Sequence, residues 1–218
     1  MGKSSILTKE QKIVLEEFKD SRFLSSNFYF TGGTALSEFY LRHRLSDDLD
    51  FFTEDKFDFQ DLFEIVNSWS RKHKLKVKSE IHGLVSSYFF EFKTGHTLKV
   101  DYAQYPHRRL ERLTNFGGVR VDSLYDIAVN KLLMINQRAN VKDFVDLYFL
   151  FNDFNFWQLK DGVVAKFNME LDLYYTAVDF MKVEGFRSLP KMIKPLKLAK
   201  LKSFFRERAR ELGYEALK

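Results

Sequence analysis

Apolar residues return along this chain with two different periods. Ile13, Val14, Leu15 and Phe18 recur at helical spacing behind the capping-box sequence Thr8-Lys9-Glu10-Gln11, which predicts an amphipathic helix ending near Leu24. Phe28 to Thr31 predicts a short strand, Gly32 and Gly33 a turn, Thr34 to His43 a helix, and Asp48 to Phe52 a second strand. Asp58-Phe59-Gln60-Asp61 opens a further helix running to about Lys74. The period then falls to two: Leu75 to His82, Ser87 to Thr94 and Thr97 to Tyr105, broken at Gly83 and at Gly95-His96, predict an antiparallel meander. Beyond Gly117-Gly118, Ser123 to Arg138 and Lys142 to Asn152 have helical spacing, and Trp157 to Phe167, Leu171 to Lys182 and Ser203 to Leu212 continue it. The expected organisation is a mixed half, residues 1–121, and a helical half, residues 122–218, with no repeat and no low-complexity linker.

Composition narrows the class. With 45% hydrophobic residues, 218 positions suffice for a sizeable core. The 24 Phe are interspersed with charge and form no run of the ~20 apolar residues that a membrane helix needs, so no membrane partner is expected. The stretch MGKSSILTKE lacks the apolar centre of a signal peptide, and Ile6 stands where a myristoylation pattern needs Ser or Thr, which predicts a cytoplasmic protein. There is no Cys, and the five His fall in no HExxH-like spacing, so neither disulfides nor zinc is expected. The net charge of +5 is uneven: Arg187 to Arg210 holds nine Lys or Arg against Glu207 alone, so this segment carries +8 and the remainder −3. Such a cluster suits a polyanion such as nucleic acid, or else is a solvated helix face.

The candidate chemistry lies in TGGTALSEFYLRHRLSDDLDFF, residues 31–52. Asp-x-Asp alone carries little, since 16 Asp in 218 residues produce about one by chance. On a strand, however, Asp48 and Asp50 project from one face while Leu49 and Phe51 enter the core. Paired carboxylates repel unless a cation lies between them, and hard oxygen ligands without His or Cys suit Mg²⁺ or Mn²⁺. Asp101, opposite in face to Leu98, Val100 and Tyr102, offers a third carboxylate; it reads equally as an acid on the solvated face of an edge strand. Gly32-Gly33-Thr34 leads into a helix whose first amides suit a phosphate, or forms a plain tight turn.

Gly32-Gly33-Thr34-Ala35-Leu36 followed by Arg44-Leu45-Ser46-Asp47-Asp48-Leu49-Asp50-Phe51 resembles the glycine signature and acidic pair of the DNA polymerase β-like nucleotidyltransferases, most closely their AbiEii/AbiGii abortive-infection toxin branch. Asp126, Lys131, Arg138, Lys142-Asp143 and Asp146 are similar to that family's later Lys, Arg and KD-x-x-D pattern, so the likeness runs from about Tyr29 to Leu150. The resemblance implies an α+β fold: a polymerase β-like core with a mixed, mostly antiparallel sheet and flanking helices, plus a C-terminal helical bundle forming one wall of a nucleotide cleft.

It further implies two-metal transfer of a nucleoside monophosphate from a nucleoside triphosphate. Asp48, Asp50 and Asp101 would hold the metals, and Gly32, Gly33 and Thr34 the phosphates, with Ser46 adding a hydroxyl. Lys131 would contact the triphosphate. Arg138 and Asp143 would orient it or each belong to an ion pair within or between helices, Asp146 would be structural, and Arg44 would meet a phosphate or neutralise Asp47, itself a flanking acid or helix cap. The basic tail and His107-Arg108-Arg109 would meet an RNA acceptor, tRNA in particular, and the partner would be a cognate antitoxin in a phage-defence system. A small molecule or protein as acceptor, and a catalytically silent binding module, are the competing expectations.

Overall fold

The structure is a computed structural model and describes residues 4–218; Met1 to Lys3, at the head of the N-terminal stretch read above, lie outside the described residues. Two compact units emerge. One holds the chain up to Tyr40, Ser46–Arg108 and Arg112–Ser123; the other holds Leu41–Leu45, Arg109–Glu111 and Leu124–Lys218.

In the first unit the Thr8/Gln11 capping box opens α1 (Lys9–Asp20), and Ser21 ends it by capping a short α2 (Arg22–Asn27). After β1 (Tyr29–Thr31), the predicted helix begins two residues early as α3 (Gly32–Ala35) and continues as a π-helical turn over Leu36–Leu41. Wide turns of this kind are rare and concentrate near functional sites. Next come β2 (Leu49–Thr53), α4 (Phe59–His73) capped by Asp58, and the meander β3 (Lys76–His82), β4 (Val85–Glu91) and β5 (Thr97–Gln104). A last hairpin, β6 (Thr114–Phe116) and β7 (Val119–Val121), turns on Gly117 and Gly118, both at positive φ as a tight hairpin requires. Its strands are too short to show alternation in sequence.

These strands form one sheet ordered β3-β4-β5-β2-β1-β7-β6, antiparallel except at β2/β5 and β1/β7. Alternation puts Phe30, Leu49, Phe51, Val100 and Tyr102 wholly inside. Phe51 stacks at 4.2 Å on Phe18 of α1 and at 5.1 Å on Tyr102. Burial on this scale contributes about 1.5–3 kcal/mol for each large side chain.

The second unit is helical: α5 (Leu124–Gln137), α6 (Val141–Leu150), α7 (Phe156–Phe167), α8 (Leu173–Met181) and α9 (Leu198–Ala216), with a 3₁₀ turn over Lys182–Gly185. Phe205 of α9 packs edge-on against Phe144 at 4.9 Å and Phe180 at 5.2 Å. α9 begins five residues ahead of its predicted start because Lys197 supplies no side-chain cap and so leaves no start signal in the sequence. No helix among the described residues is long and apolar enough to cross a membrane.

Candidate active site

The first unit brings the acidic residues together through strand register. β2 and β5 run parallel with Asp50 opposite Asp101, and β4 sets Ser87 opposite Asp101 from the other side. Residues directly opposite on neighbouring strands share a face, about 4.8 Å apart, so Asp50, Asp101 and Ser87 form one polar row. β5 lies inside the sheet between β4 and β2, which removes the edge-strand reading of Asp101. The Ser87 hydroxyl donates to Asp101 Oδ1 at 2.6 Å, and the Lys99 ammonium donates to Oδ2 at 2.6 Å. Burial by itself would lower the pKa of Lys99; the hydrogen bond and charge of Asp101, with the charges of Asp48 and Asp50, more than offset this and raise it.

Asp48 sits one residue ahead of β2, not on it, and is exposed. Its backbone is fixed instead, because the buried Thr34 hydroxyl donates to the Asp48 carbonyl. The loop before it is gripped by Gln11: while its Oε1 completes the α1 capping box, its Nε2 donates to the carbonyls of Ser46 at 2.8 Å and Asp47 at 3.1 Å. The glycine turn is equally determined. Gly32 has φ +75°, and a Cβ there would lie 2.1 Å from Asp50 Oδ2, so only glycine lets the carboxylate rest against the backbone. Thr31 does not cap the helix; its hydroxyl donates to Asp122 Oδ2 at 2.9 Å.

The second unit gathers the other predicted residues into a buried charge cluster. Arg44, 1% exposed, donates from Nε and Nη2 to the two oxygens of Asp146 at 2.6 and 2.8 Å. His43 shares Asp146 Oδ1 at 2.7 Å, and because a carboxylate only accepts, its Nε2 carries the proton. Lys131 bridges Asp146 Oδ2 at 2.7 Å and Asp143 Oδ1 at 2.8 Å, while Arg138 grips Asp143 with two donors. Burial pushes the Asp146 carboxyl up, yet Lys131, Arg44 and His43 hold it well below the usual range; Asp143 is lowered for the same kind of reason, with Lys131 first among its partners. Burial lowers His43, opposed by Asp146, and the imidazole stays below its ordinary value. Asp126 is likewise buried, accepting from Lys166 at 2.7 Å and from the backbone of Leu110 and Glu111.

Among the described residues, no three Asp, Glu, His or Cys side chains already surround a common point as a metal site would. The donor chemistry nevertheless fits a hard divalent ion. Three carboxylates lie on or beside adjacent strands, a glycine hollow seats one of them, and an ammonium already occupies their field.

Residues 14–218 match the family model described as nucleotidyl transferase AbiEii toxin, type IV TA system. An uncharacterized protein of Aquifex aeolicus is 35% identical over 162 residues, 71% of each chain. The chain belongs to the AbiEii family. JHP933 from Helicobacter pylori shares the fold at a TM-score of 0.58 and 20% identity, over 97% of this chain and 95% of that one. The nucleotidyltransferase toxin MenT4 from Mycobacterium tuberculosis superposes at a TM-score of 0.50 and 18% identity, over 92% and 82%. This AbiEii chain therefore has the polymerase β-like nucleotidyltransferase fold, in the α+β form expected from its sequence.

Gln11, Ser87, Lys99 and His43 escaped the sequence reading. Only Gln11 left a trace there, as the third residue of a capping box, and nothing local signals its second pair of bonds.

Proposed function

We propose that this AbiEii protein transfers a nucleoside monophosphate from a nucleoside triphosphate to a hydroxyl of RNA, with tRNA as the acceptor. The observation that carries this reading is the alignment of Asp50 with Asp101 on neighbouring parallel strands, with the Gly32-Gly33 turn closed against Asp50. Asp48, Asp50 and Asp101 are the residues that would hold Mg²⁺ or Mn²⁺. Bound there, a divalent ion would lower the pKa of the attacking hydroxyl and offset triphosphate charge. The acceptor oxygen bonds to the α-phosphorus as the bond to the β-phosphate oxygen breaks, and pyrophosphate leaves.

The chain's own groups supply position. Gly32, Gly33 and Thr34 form the first helical turn after β1, where backbone N–H groups suit the terminal phosphates. The Thr34 hydroxyl serves by fixing Asp48, and Ser46 stands on the loop that Gln11 holds. Of the second unit's expected nucleotide-binding residues, Arg44 and Asp143 are buried and paired, so they serve by holding the cluster, and Lys131 and Arg138 enter the reading as the phosphate-side groups. Lys131 and Arg138 both bond Asp143, so a phosphate contact by either exchanges such a bond; Arg138, with its side chain 54% exposed, does so at the lower cost. The basic segment from Arg187 to Arg210 and His107-Arg108-Arg109 supply charge for the acceptor's backbone. The type IV toxin–antitoxin description of the family supports a cognate antitoxin as partner, and the reading adds to it a role in phage defence in the cytoplasm.

The test is incubation with Mg²⁺, total tRNA and each labelled nucleoside triphosphate in turn, beside Asp48→Ala. Label on RNA from the native protein alone is expected. Nucleotide binding without labelled RNA would transfer the acceptor role to a small molecule or protein. Failure to bind nucleotide would leave a silent binding module.

A further inference from the structure

The Lys99 ammonium lies among the carboxylates assigned to metal. It precedes Asp101 by two residues on β5 and so shares its face. Continuing the β2/β5 register by one pair, from Leu49 opposite Val100, sets Lys99 level with Asp48. Each oxygen of Asp101 is taken, but by groups of different kinds. The Ser87 hydroxyl on Oδ1 is neutral and fixed by the adjacent strand, and an oxygen bonded in this way keeps a lone pair for a second partner. Lys99 on Oδ2 is a charge at the end of a flexible stem, 37% exposed, and can swing into solvent.

We propose that Lys99 is an internal counter-cation: its ammonium occupies Asp101 when no divalent ion is bound, and it leaves when the ion arrives. The proposal rests on the metal-dependent reading above and adds to it a competitor built into the sheet. Ser87 stays and holds the carboxylate in orientation while Lys99 exchanges. Metal affinity is then lower than three bare carboxylates would give, and occupancy of the site follows the concentration of free divalent ion.

Mn²⁺ binding measured by calorimetry and electron paramagnetic resonance on the native protein, Lys99→Met, Lys99→Arg and Asp48→Ala tests this without any turnover. Losing a partly exposed charge pair should tighten Mn²⁺ binding in Lys99→Met by about fivefold, whereas Lys99→Arg, which keeps the charge, stays near native. In the native protein carrying ¹³C-methylated lysines, the resonance absent from Lys99→Met should shift on addition of Mg²⁺, and should not shift in Asp48→Ala. Native binding with equal or weaker binding by Lys99→Met would overturn the proposal and make Lys99 a support for Asp101. No binding by any variant would overturn the metal assignment itself.

Discussion

Carboxylates are handled in opposite ways in the two units. In the helical unit, Asp126, Asp143 and Asp146 are buried and answered by cations or N–H donors: Lys166 and two backbone N–H groups for the first, Lys131 and Arg138 for the second, Arg44, Lys131 and the neutral His43 for the third. On the sheet and beside it, Asp48 is exposed, Asp50 rests in a glycine hollow, and Asp101 is answered by a hydroxyl and a partly exposed lysine. Buried charge must be matched permanently, since an uncompensated ion inside costs several kcal/mol. An acid kept near solvent can await a ligand. The contrast separates acids that stabilise the fold from those to which the proposed chemistry is assigned, though in sequence all of them are simply Asp.

The sharpest way to break that contrast is to exchange one member of each set. Asp146→Asn leaves Arg44 and Lys131 without their shared charge and should cost about 3–5 kcal/mol in denaturant unfolding. Asp48→Asn should stay within about 0.5 kcal/mol of the native protein, as exposed substitutions do. Transfer should behave inversely, with the folded Asp48→Asn losing at least ~100-fold. Similar destabilisation by both would erase the distinction. Gly32→Ala lies between the two, because it strains a positive φ and drives a methyl group into Asp50; a loss of about 1–3 kcal/mol together with activity is expected. A fully active Gly32→Ala protein would show that Asp50 need not rest there.

The smallest effect is one of pH. His43 is held neutral inside, with its folded pKa below the ordinary value, so on acidification the unfolded chain takes up the proton first. Stability should be complete above about pH 6.5 and fall below it, with a slope of at most ~1.4 kcal/mol per pH unit. Asp143 and Asp146 are depressed, and their contribution is lost in a second decline below about pH 4. In His43→Asn, unfolding followed from pH 8 to pH 3 should lose the first decline and keep the second.

How much of this could be read in advance follows from distance along the chain. The capping box at Thr8, the meander with its turns at Gly83 and Gly95, and the alternation around Asp50 and Asp101 are local patterns, and the structure repeats them within a few residues. Gln11 reaches Ser46 across 35 positions, and Arg44 reaches Asp146 across 102; no periodicity encodes a bond of that span. Register is similarly hidden: that Asp101 could face Asp50 is visible from alternation, but that it does, with Ser87 beyond it, depends on pairing between strands separated in sequence. The π-helical turn at Leu36–Leu41 has no compositional mark, and Lys99 looks like any strand lysine until its neighbours are known.

The excursion of Leu41–Leu45 into the helical unit imposes a timetable on a chain made from one end. When Arg44 is joined to the growing chain, the carboxylate that will take two of its N–H groups is 102 residues from being synthesised, a delay of roughly 5–20 s at ordinary rates of translation. The acidic strand follows directly behind this segment, so Asp48 and Asp50 are made early, while the anchor next to them in the chain can close only late. A messenger cut between the codons for residues 101 and 146 would therefore release a product that has every carboxylate of the proposed metal site but cannot bury Arg44 against Asp146.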